Sequence, residues 1–226
     1  MINLNFEKKE IKDIIISSIS ICLMFLAKDW LNINPKYLIN LGMNFIIVIF
    51  VLFVRLIVQK KVAKKYDCKV EYSFNYALFL IGVVLAVLTP TYSILMPIAG
   101  TITISSALYA RLGHKFVNIT TNEKGKIALF GSFVNIVLVF IAVLLKPLNL
   151  VFFEQFIKIN LLMALFNMLP FPLLDGEKVI WWNRLVWLIA LLIPLFLLFF
   201  SYNLIFSLIG VLLISIITFI FWEKMF

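Results

Sequence analysis

Apolar residues run through this chain in long stretches separated by short polar loops, and at least six stretches approach or exceed the about 20 residues a transmembrane helix needs. The first, residues 14–27, is short for a full crossing. The second, 37–58, is long enough and carries Arg55 near its C-terminal end. From 76 to 110 an apolar segment is broken by LTPTYS and PIAGT, with Pro90, Pro97 and Gly100 as the breakers. It reads either as a helical hairpin, or as one helix followed by a re-entrant or extended piece containing the β-branched TITIS. Residues 127–145 form a clear span, and the helix that includes 160–170 returns towards the loop FPLLDGEKVIWWNR. Two last spans, about 185–200 and 204–222, are joined by SYN. The expected fold is an all-α polytopic membrane protein of about six or seven spans, a single transmembrane domain over 1–226, with a re-entrant or extended segment allowed around 90–110 and a helical hairpin over 185–222.

Composition supports the bilayer as the solvent. The chain is 64% hydrophobic and 14% charged, against about 45–50% and about 25% in soluble domains. The 23 Phe are scattered through every apolar run and read as lipid-facing and packing residues. The net charge of +9 sits in short loops between apolar runs, where the positive-inside rule puts it, so it argues against a nucleic-acid partner. By that rule the loop with Lys60, Lys61, Lys64, Lys65 and Lys69 faces the cytoplasm, as do both termini, and these lysines attract anionic lipid. The N-terminal segment has no cleavage signal and is expected to be retained. Cys22 and Cys68 form neither a disulfide framework nor a CxxC metal site. Asn118 heads a glycosylation sequon in a loop placed in the cytoplasm and is discounted. Trp181, Trp182 and Trp187 beside Arg184 read as an interfacial aromatic belt, with a cation-π contact to Arg184 as a lesser reading.

The most specific local pattern is NMLPFPLLDG. Asn167 and Pro170 end a membrane helix, and Asp175 with Gly176 follows a proline-rich bend. A carboxylate this close to an apolar phase asks for a partner, which makes Asp175 a site candidate; the plainer reading is a loop turn at a helix end.

Asn-x-x-Pro-x-x-x-x-Asp-Gly resembles the signature of the site-2 protease family of intramembrane zinc metalloproteases. The stretches GKIALFGSFVNI, LMPIAGTITIS and FPLLDGEKVIWWNRLVWL are similar to further family stretches in the family's order, giving a core over about 38–190. The resemblance implies an H-E-x-x-H helix earlier in the chain, two His on zinc and a Glu on the catalytic water, with the Asp of Asp-Gly as third ligand. The tail VAKKYDCKVEY resembles the segment that follows that motif, and counting back from Cys68 sets the motif on Arg55, Leu56, Ile57, Val58 and Gln59. Both histidines and the glutamate are missing.

A catalytic zinc needs three protein ligands, yet the single His of the chain, His114, lies in a basic loop and reads as a solvated residue. No zinc and no catalytic residue are therefore expected. Arg55 and Gln59, at i and i+4, share a helix face. If Asp175 keeps its place in the family, a guanidinium there supplies the positive charge the metal would have given, as an Arg55–Asp175 ion pair with Gln59 alongside. Against this stands the reading that Arg55 snorkels to the headgroups. The expected function is that of a site-2-protease-like protein without the zinc motif, an inactive pseudoprotease that binds a transmembrane helix at a cleft near Asn167 and Pro170. The competing classes are an active metalloprotease with non-standard ligands, drawn from Asp175, Glu177, His114 or Cys68, and a small transporter using Arg55 and Asp175 as a charge relay.

Overall fold

The structure, a computed structural model, describes residues 6–25, 35–88, 97–106 and 119–201. Helix α1 (Lys8–Phe25) is followed by α2 (Pro35–Lys64), strand β1 (Cys68–Phe74), α3 (Tyr76–Leu88), β2 (Gly100–Ser106), α4 (Thr121–Leu145), α5 (Leu150–Asn167), α6 (Asp175–Trp182) and α7 (Arg184–Ser201). A 3-10 turn, Lys146–Leu148, joins α4 to α5.

Among the described residues, three helices are long and apolar enough to cross a membrane: Tyr37–Lys64, Thr121–Leu148 with its terminal turn, and Leu150–Asn167. They pack on one another and hold the centre of the molecule. The count of six or seven expected from the apolar runs is not reached among the described residues. Helix α1 begins with a charged turn, α3 has only 13 residues, and the apolar part of α7 is short. The run at 204–222 lies outside the described residues.

Local signals fix the ends of the central helices. Thr120 caps α4 through a reciprocal box, its Oγ accepting from Glu123 N at 3.3 Å while Glu123 Oε2 accepts from Thr120 N at 2.9 Å. Asn149 caps α5, its Oδ1 accepting from Phe152 N at 3.1 Å. Lys61 and Lys64 close α2, where cations complement the carbonyl end of the helix dipole. Asp67 then takes φ 51°, a left-handed turn that Asp tolerates, and the chain reverses into β1.

The two strands correct the all-α expectation. β1 and β2 pair antiparallel in a register that runs from Cys68 opposite Ser106 to Phe74 opposite Gly100. β2 falls inside the stretch where an extended piece was allowed, but its partner lies in the lysine-rich loop, where none was expected. Because Gly100 returns to face Phe74, the chain leaves the sheet along α3 and comes back to the point it left. At 1.5 Å per residue α3 is about 20 Å long, short of the about 30 Å hydrocarbon core.

Helix α1 locks the sheet onto α2 through Glu10, 4% exposed. Its carboxylate accepts from Lys60 Nζ at 2.7 Å and from Tyr72 N at 3.1 Å. Lys60 also lies over the Phe6 ring, 4.2 Å from its centre, and Lys69 pairs with Glu7 and Glu71. Two of the five lysines assigned to lipid are thus committed to carboxylates, Lys60 to Glu10 of α1 and Lys69 to Glu7 just before it and to Glu71 of β1.

Removing one partner of a buried ion pair leaves the other desolvated and uncompensated, so Glu10→Ala is expected to destabilise by about 3–5 kcal/mol, read as a lowered detergent-phase Tm. The pair Glu10→Leu with Lys60→Met should recover much of that loss.

Candidate functional site

Four polar side chains from three elements meet at the lysine-rich end of the bundle. Arg55 and Gln59 come from one face of α2, Asn167 from the last turn of α5 and Asp175 from the first residue of α6. Arg55 Nη2 donates to Asp175 Oδ2 at 2.6 Å and to Asn167 Oδ1 at 3.0 Å. Gln59 Nε2 donates to the same Asp175 oxygen at 3.0 Å. Asn167 Nδ2 in turn donates to Met163 O at 2.6 Å, so both ends of that amide are used. All four are buried, Arg55 to 7% and Asp175 to 2% exposure. A guanidinium snorkelling to headgroups would be exposed; this one turns inward.

Backbone geometry aims the carboxylate. Helix α5 ends at Asn167, and Pro170 lies half-buried in the turn that leads to α6. Leu173 then adopts φ 78°, a left-handed conformation that costs a non-glycine residue about 1–3 kcal/mol. The turn is held by Leu174 N on Phe171 O at 3.2 Å and by Glu177 Oε2, which accepts from Leu173 N at 3.1 Å. Asp175 therefore opens α6 with its charge at the positive end of a helix dipole. Lys178, one turn on, donates to Leu174 O at 3.1 Å, and its Nζ stands 4.0 Å from Asp175 Oδ1.

Two glycines allow the approach. A methyl group on Gly131 of α4 would run into Gln59 Nε2 and come within 2.9 Å of Asp175 Oδ2. One on Gly176 would strike the carbonyls of Met168 and Leu169. Gly131 was not singled out from sequence, although it lies in GSFVNI, and its importance appears only once α2 and α6 are seen to meet over it.

Of the aromatic belt, Trp187 is 7% exposed and its Nε1 donates to Met168 O at 2.8 Å. It belongs to the interior because the proline-rich bend leaves that carbonyl without a helical donor. The cation over Trp182 is Lys126, 5.8 Å from the ring, a contact that the lesser reading had assigned to Arg184. His114 and Asn118 lie outside the described residues; Thr120 of the sequon is the cap of α4. Cys68, considered as a ligand, donates to Tyr66 O at 3.3 Å. Burial, with the nearby Glu123 carboxylate, pushes its thiol up and away from the thiolate a metal needs.

No family model and no solved structure match the chain. It is 30% identical over 192 residues to a presumed zinc metalloprotease of Methanocaldococcus jannaschii, a match covering 82% of this chain and 90% of the relative. The chain belongs to this metalloprotease-like family. Whether this metalloprotease-like protein can hold zinc is a question for its donor set. Among the described residues no three His, Cys, Asp or Glu come together. At the centre of the cluster, Asp175 Oδ2 faces a guanidinium and an amide N–H, and Asn167 Oδ1 is taken by the same guanidinium. A fixed positive charge sits against Asp175 Oδ2 and Lys178 stands near Oδ1, so the described residues of this centre do not fit zinc.

Three outcomes follow for thermal unfolding in detergent. Arg55→Met alone should cost about 3–5 kcal/mol, and Arg55→Met with Asp175→Leu should cost less than either single change. Gly131→Ala should cost about 1–3 kcal/mol by forcing Gln59 and Asp175 apart. Leu173→Gly, at an exposed and left-handed position, should be neutral or stabilising by up to about 1 kcal/mol, since it removes the φ penalty.

Proposed function

We propose that this chain is a site-2-protease-like membrane protein that has lost its zinc motif and works without proteolysis, binding a transmembrane helix of another protein. The observation that carries the reading is the Arg55 guanidinium on Asp175 at 2.6 Å. In the family pattern, Arg55 and Gln59 stand at the two histidine positions and Asp175 at the third ligand. The ion pair then does mechanically what the metal would do, joining α2 to α6 across a desolvated gap. In this reading the chain is multi-pass, with its lysine-rich end and both termini in the cytoplasm. The turn at Asn167 and Pro170 borders the cleft that admits the partner helix. Since the amide of Asn167 is already used on both sides, Pro170 and the backbone around it are the part of that border free to meet a partner.

The name of the relative favours a second reading, an active zinc metalloprotease with ligands outside the usual motif. Elemental analysis of detergent-purified protein separates the two, with Asp175→Ala as the control. Near-zero zinc in both proteins is the expected result. About one zinc per chain, lost in the control, would sink the pseudoprotease reading. Helix binding is tested separately by photocrosslinking from position 170, where absence of any adduct with a membrane protein would remove the partner role.

A further inference from the structure

One helical turn from the ion pair, towards the opposite end of the bundle, lies a second polar layer. The helix registers place it. Gly131 of α4 lies against Gln59 of α2, Ser132 Oγ of α4 donates to Ala164 O of α5 at 3.4 Å, and the Phe50 and Phe156 rings meet at 6.2 Å between α2 and α5. Moving one turn from Gln59, Gly131 and Ala164 along each helix reaches Arg55, Asn135 and Asn160 at a common level. Asn135 and Asn160 are fully buried, as is Gln59. Asn160 Nδ2 donates to Phe156 O at 2.8 Å. Yet both amide atoms of Asn135, Oδ1 of Asn160, Oε1 of Gln59 and Nε of Arg55 have no hydrogen-bond partner among the described residues.

Each buried polar atom left without a partner costs about 1–3 kcal/mol, so a layer of five is not left bare in a stable fold. Their chemistry selects what satisfies them. Three acceptors and two donor groups, brought by helix register to within one turn of a common level, lie beside a guanidinium. A cation is repelled by Arg55, and an anion would meet three amide oxygens. The ligand that fits is neutral, small, and both donor and acceptor. We propose that Arg55, Gln59, Asn135 and Asn160 line an internal hydration site that holds ordered water between α2, α4 and α5, beneath the ion pair. On the far side this layer gives way to a wholly apolar groove of about 440 Å³, lined by Phe50, Leu138, Ala142 and Phe156 among others, which offers water no partner.

Hydroxyl-radical labelling by X-ray radiolysis tests this, because radicals form from bound water in place and need no path from bulk. Met163, 1% exposed and one turn from Asn160, is the reporter; Met24, equally buried at 1% in the apolar part of α1, is the control. In wild-type protein Met163 should oxidise about tenfold faster than Met24, and Asn135→Leu should bring Met163 down to the Met24 rate. Equal rates in the wild type would overturn the site, as would an unchanged Met163 rate in a folded Asn135→Leu protein. If that variant does not fold, the wild-type ratio alone decides. The outcome is independent of whether the protein binds zinc or a partner helix.

Discussion

A carboxylate and a guanidinium removed from water together constrain everything around them. Each ion gives up several kcal/mol of hydration, which their attraction offsets only with good geometry and with further hydrogen bonds on the remaining lone pairs. Asp175 meets that requirement with Arg55 and Gln59 on one oxygen and Lys178 near the other. Meeting it fixes four helices. α2 must present positions 55 and 59 on one face, α5 must stop at Asn167, α6 must begin at Asp175, and α4 must offer a residue without a side chain at the crossing. The left-handed Leu173 is the strain accepted to aim the carboxylate.

How much of this could be read from the chain differs by element. Helices α2 and α4 are legible because their apolar runs are long, whereas only the second half of α5 is, since Glu154, Gln155 and Lys158 interrupt its start; the caps of α4 and α5, Thr120 and Asn149, are of the right type. Arg55, Gln59, Asn167 and Asp175 stand out singly, as polar residues at the ends of apolar runs. Spacing within one helix relates Arg55 to Gln59; what relates them to residues more than 100 positions away is the tertiary fold and the family pattern. The strand β1 is not legible, because CKVEYSF follows a charged helix end and its burial comes from α1 and β2. Glu10 reads as one more acid in a polar leader until α1 folds against Lys60. Trp187 misleads for the opposite reason: beside other tryptophans and an arginine it looks interfacial, and only the broken end of α5 gives its indole a buried acceptor.

The bundle is also graded along its length. From the lysine-rich end inwards come the ion pair, a layer of amides, and then a groove lined by apolar side chains. Charge is thus separated from hydrocarbon by groups of intermediate polarity, which spreads the desolvation cost over two turns of helix.

The close seat of Gly176 on Met168 and Leu169 has an electrical consequence. The first turn of α6, with its excess of unbonded N–H groups, is pressed against the last carbonyls of α5, so the positive pole of one helix meets the negative pole of the other. The two behave as a single dipole interrupted by a bend, and Asp175 stands at the interruption. A bulkier residue at 176 would open that junction and expose both poles at once, so the glycine holds together a polarised circuit as well as a tight turn.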